Sequence, residues 1–88
     1  MAKTVYKYPL MIDDYQRVAL PKGAQILCIK MQRGKPYLWA LVDPEEMNME
    51  EIHIRCAGTG HSISGQVEYI DTVLTYGESL VFHFFKVV

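Results

Sequence analysis

"AQILCIKMQRGKPYLWALVD", residues 24–43, holds two apolar runs on either side of a short polar turn. Residues 24–32 are rich in branched apolar side chains, which pack well on a pleated surface. RGK at 33–35 supplies a glycine able to take the left-handed backbone that a tight reversal needs. Residues 36–43 then alternate, with Leu38, Ala40 and Val42 on one face and Tyr37, Trp39 and Leu41 on the other. The two runs read as a β-hairpin. Apolar side chains on both faces of its second strand predict a central position, covered on each side.

The same period of two continues outward. Residues 3–10 place Thr4, Tyr6, Tyr8 and Leu10 opposite Val5 and Lys7, and Pro9 points to a sheet edge or a strand end. MIDD (11–14) turns the chain, YQRVALP (15–21) sets Val18 and Leu20 away from Arg17, and PKG (21–23) is a second turn. After the hairpin, DPEEMNMEE (43–51) changes character. Asp43 suits a helix cap, Pro44 a first turn, and Glu45 and Glu46 the positive end of a helix dipole, so a single helical turn is expected there. EIHIRCA (51–57) alternates again, and residues 65–77 and 79–88 supply two more strands around a YGES turn. The last is apolar on both faces and reads as a structural strand. Seven β segments with short turns and one small helical turn predict an all-β single domain over residues 1–88, an antiparallel β-sandwich or rolled barrel. Its expected core is Leu27, Ile29, Leu38, Ala40, Val42, Ile54, Phe82 and Phe84.

Composition narrows the function. The chain of 88 residues is half apolar and carries a formal net charge of −1, so no overall positive field recruits duplex DNA. No apolar run approaches the roughly 18 residues that a membrane span needs, and MAKTVYKYPL lacks the apolar core of a secretory signal. A cytoplasmic protein is expected. Cys28 and Cys56 are too few for a disulfide framework and read as reduced thiols packed as small hydrophobes.

The stretch that looks most like a site is RCAGTGHSISGQ, residues 55–66. A dinucleotide loop needs a third glycine where Ile63 stands, and a helix where a strand pattern follows. A Walker loop needs Gly-Lys-Ser/Thr, and no lysine lies between Lys35 and Lys86. Ser62 or Ser64 beside His61 lacks the nucleophile-elbow spacing, and adjacent residues rarely meet in attack geometry. No catalytic residue, metal or cofactor is therefore expected. His53 and Cys56 lie three apart on a strand and point to opposite faces, and His83 reads as a cross-strand histidine. Gly58, Thr59, Gly60, His61 and Ser62 read first as a tight connection, with Gly58 or Gly60 at positive φ and His61 on the surface as a candidate ligand or partner contact. Lys30, Arg33 and Lys35 near the hairpin tip form a candidate basic surface, and Glu45 and Glu46 a candidate acidic one.

The strings YKYPL (6–10), LPKGAQIL (20–27), LWALVDP (38–44), GTGH (58–61) and LVFHFF (80–85) together resemble a family of small bacteriophage- and prophage-encoded proteins of unknown function. The resemblance implies an accessory protein acting in the cytoplasm of an infected bacterium. Counter-defence by binding and blocking a host protein is the function it favours. A sponge for a nucleotide signal molecule, using the GTGH amides with lysine or arginine, is the alternative, and a small hydrolase the least favoured. Excess apolar faces on so short a chain also admit a homodimer.

Overall fold

The computed structural model describes residues 2–75 and 77–88, so Tyr76, the first residue of the expected YGES turn, lies outside the described residues. Seven strands form two antiparallel sheets: β1 (Thr4–Pro9), β2 (Tyr15–Pro21), β3 (Gln25–Gln32), β4 (Lys35–Val42), β5 (Met49–Gly58), β6 (Val67–Thr75) and β7 (Leu80–Val87). One sheet has the order β1-β4-β3 and the other β2-β5-β7-β6. The hairpin from 24 to 43 forms as β3 and β4. Arg33 and Gly34 at its tip both have positive φ (52° and 78°), the two-residue turn whose twist matches that of the flanking strands.

The two sheets pack as a sandwich. Ile29, Leu38, Ala40, Ile54 and Phe84 are fully buried between them, with Val18, Leu20, Val42, Ile52, Cys56 and Val73 beside them. β4 and β7 are internal strands of their sheets, as their two-faced apolar patterns require, and β1 with its Pro9 is an edge. The outer face of β4 is not covered by a further layer. Tyr37, Trp39 and Leu41 are half-buried there by their neighbours along the sheet: Lys7 Nζ lies 4.6 Å from the centre of the Tyr37 ring, which meets Trp39 edge-on.

Two further expectations fail for identifiable reasons. Leu27 is 45% exposed because the ladder slips between Ile26 and Cys28. The extra residue turns Leu27 out and brings both Ile26 and Ile29 to the inner side, as a β-bulge does. The helical turn at 43–51 does not form, and no helix occurs among the described residues. β2 claims Met49, Glu50 and Glu51 as ladder partners, leaving too short a span for a helix. What remains is a tight turn: the Glu46 N–H donates to the Asp43 carbonyl (3.1 Å) and the Glu45 N–H to Asp43 Oδ1 (2.9 Å).

A second bulge, between Tyr69 and Asp71 on β6, turns Asp71 inward. There its carboxylate accepts the free edge N–H of Ile29 on β3 (3.0 Å) and pairs with Lys30 Nζ (3.2 Å). Burial pushes this carboxyl up, but the N–H groups of Ile29 and Thr72 and the Lys30 ammonium outweigh it, and the net result lies below the usual carboxylate range.

Two outcomes follow for stability. Phe84→Ala removes a fully buried ring and is expected to cost about 3–5 kcal/mol, read as a large drop in the thermal or urea midpoint. Asp71→Asn is expected to cost about 1–3 kcal/mol at neutral pH. Because the folded-state carboxyl titrates below its unfolded value of about 3.9, this contribution is complete at neutral pH and is lost as pH falls through the depressed value. Urea melts against pH therefore show the wild-type advantage shrinking only in acid. An advantage that persists undiminished to about pH 2 contradicts the assignment.

Candidate functional site

The GTGH segment closes β5 with a turn. The His61 N–H donates to the Gly58 carbonyl (3.0 Å) and Gly60 has φ +91°, the geometry of a type II turn with glycine at its third position. His61 is exposed, and its ring lies over Gly58. The amide that a phosphate would need at His61 is thus already donating within the turn. Ser62 is exposed and, among the described residues, neither its hydroxyl nor the His61 ring makes a hydrogen bond.

The other sequence candidates divide between the two ends of the sandwich. Arg33 and Lys35 flank the start of β4 and share an end with the β6–β7 connection, where Gly34, Gly77 and Glu78 border one hollow. β5 leaves the 43–48 turn and runs to Gly58, so Glu45 and Glu46 lie at the opposite end from the GTGH turn. Glu46 has a local task, accepting the Asn48 N–H (3.0 Å). Lys30 sits on β3 and is held by Asp71. These residues do not converge on one site.

The outer face of the four-stranded sheet does carry a continuous constellation. Cross-strand pairing aligns Tyr15, Arg55, Phe85 and Tyr69 in one row across β2, β5, β7 and β6. Tyr69 meets Phe85 edge-on with ring centres 5.8 Å apart, and Tyr15 bonds His53 Nδ1 through its hydroxyl. The two tyrosines remain 48% and 61% exposed, so their rings are available to a partner. Beside the row runs a polar chain. Thr59 Oγ1 meets His83 Nε2 (2.8 Å), His83 Nδ1 meets Thr72 Oγ1 (3.0 Å), and Thr72 Oγ1 meets Tyr69 Oη (2.7 Å). Both nitrogens of His83 are therefore occupied, and the chain fixes the rings next to it.

Charge on this face is sparse. Arg17 pairs with Glu51 (3.6 Å), and Arg55 Nε donates to the Asp14 carbonyl (3.2 Å). No lysine belongs to the outward positions of these strands. No group of three or more His, Cys, Asp or Glu side chains converges among the described residues. Burial, followed by Asp14 and Asp13, pushes the Cys56 thiol up to about 11, so little nucleophilic thiolate forms at neutral pH.

Sequence reasoning placed His53 and Arg55 opposite the buried Ile52, Ile54 and Cys56, but it missed the row. Its members come from four separate segments, and only the ladder registers bring them into line. A family model, a domain of unknown function (DUF7352), matches residues 1–88. No curated protein and no solved structure matches the chain.

The GTGH geometry has a direct consequence. Gly60→Ala places a Cβ at φ +91° and is expected to lower stability by about 1–2 kcal/mol, whereas His61→Ala leaves the melt unchanged. Equal melts for Gly60→Ala and wild type contradict the backbone role.

Proposed function

We propose that this chain, which belongs to the DUF7352 family of unknown function, is a non-enzymatic binding protein that docks a partner protein on the outer face of its four-stranded sheet. The observation that carries this reading is the row Tyr15–Arg55–Phe85–Tyr69. Tyrosine, phenylalanine and arginine are the residue types enriched at the centres of protein interfaces, where lysine and the acids are depleted. Rigid aromatic side chains contribute large contact area at small entropic cost.

A single-stranded nucleic acid also stacks on aromatic rows, but such a site needs unpaired cations along the backbone track. Here Arg17 is paired, Arg55 is engaged with a backbone carbonyl, and Asp13 and Asp14 flank the β2 end. That balance favours a protein. The resemblance to phage-encoded accessory proteins favours a host protein, bound in the cytoplasm and blocked there.

Quantitative co-precipitation from the producing bacterium tests this reading. Tyr15→Ala and Tyr69→Ala, both at exposed positions, are expected to keep the wild-type melt and to reduce recovery of the specific partner at least about tenfold, as loss of an interface anchor does. His61→Ala is expected to recover it fully. Retention by both tyrosine variants, or loss with His61→Ala alone, contradicts the proposal. So does a dimer in light scattering that the tyrosine variants dissolve, because a second copy then occupies the face.

A further inference from the structure

The bulges on β3 and β6 border the same cleft, an opening of about 310 Å³ between the sheets at the end near the Pro21–Ala24 turn. Its apolar lining includes Leu20, Ile26, Ile52 and Ile70, and Ile26 and Ile70 stand at the two bulges. Bulges re-aim side chains next to binding sites more often than elsewhere. The volume lies at the lower end of the range for small-molecule sites, about 300–1,000 Å³.

The inward phase of the four-stranded sheet changes from apolar to charged at this cleft. β7 follows buried Phe84 with Lys86, β5 precedes buried Ile52 with Glu50, and Glu68 faces Lys86 across the ladder. Lys86 is half-buried, yet among the described residues neither it nor Glu50 nor Glu68 forms an ion pair or a side-chain hydrogen bond. Three unpaired charges of both signs thus border a cleft whose lining is polar at its mouth and apolar along Leu20, Ile26, Ile52 and Ile70. A partly desolvated ammonium costs free energy unless a counter-charge reaches it.

We infer that this cleft binds a small zwitterion with an apolar side group, in chemical class an apolar α-amino acid. The carboxylate lies toward Lys86, the ammonium toward Glu50 and Glu68, and the side group against Ile26, Ile52 and Ile70. A purely anionic ligand would meet two carboxylates, and a purely cationic one would leave Lys86 uncompensated.

Titration of the protein with free L-leucine and L-phenylalanine, followed by amide chemical shifts, tests the assignment. The expected result is a saturable shift of the Leu27, Ile70 and Lys86 amides with at least one of the two amino acids. Isopentylamine and 4-methylpentanoate, which each lack one charge of leucine, are expected to bind at least tenfold more weakly. Lys86→Met and Glu68→Gln, checked for a native melt, are each expected to weaken amino-acid binding at least tenfold. No saturable shift with either amino acid, or equal affinity for the singly charged analogues, overturns the inference. Unchanged affinity in both variants overturns it as well.

Discussion

The carboxylate of Asp71 joins two sheets that share no ladder. β3 is the edge of the three-stranded sheet, and its Ile29 N–H points away from β4 with no strand to receive it. Asp71 on β6, the edge of the other sheet, accepts that donor and draws Lys30 in beside it. An edge donor left unpaired costs about 1–3 kcal/mol when it cannot reach water, so the contact both satisfies and orients β3. Among the described residues, the opposite flank, between β1 and β2, has no equivalent carboxylate bridge. There the chain itself links the edges through residues 10–14, steadied by paired hydrogen bonds between Met11 and the Gln16 side chain.

This bridge exists only because of one extra residue. In an unbroken strand Asp71 would share the outward face with Tyr69, two positions before it. The bulge at Ile70 reverses the phase, sending Asp71 inward and Thr72 outward. Thr72 then reaches His83 and Tyr69 on the outer surface, holding the tyrosine next to Phe85. A single irregularity in β6 therefore closes the sandwich on one side and organises the aromatic row on the other. The bulge at Leu27 acts in concert, because it sets Ile29 at the phase where its N–H meets Asp71 while Ile26 still packs inward.

Much of this fold was legible in the residues. Alternation located the strands, Arg33–Gly34 marked the hairpin, and two-faced apolarity identified β4 as internal and β7 as a structural strand. Of the two GTGH glycines expected to include one at positive φ, Gly60 takes it. What sequence could not supply was phase after an inserted residue. Leu27 fits the inner pattern of AQILCIKMQ as well as Ile29 does, and only the register with Ala40 and Trp39 shows which is displaced. The segment after Asp43 carried genuine helix-start chemistry, but the same Asp43 side chain serves a tight turn once β2 recruits Met49. The aromatic row was invisible for a different reason: Tyr15 and Tyr69 are far apart in sequence, and strand order places them on one line.

The proposed docking surface is one of two broad faces of the sandwich. Leu74 lies on the outer face of the four-stranded sheet, and Val5 lies on the outer face of the three-stranded sheet; both are about half exposed. A photoreactive phenylalanine analogue placed at either position in cells that make the protein reports directly on contact. Docking on the four-stranded sheet is expected to give a discrete crosslinked partner band from position 74 and none from position 5. A partner captured from position 5 alone contradicts it.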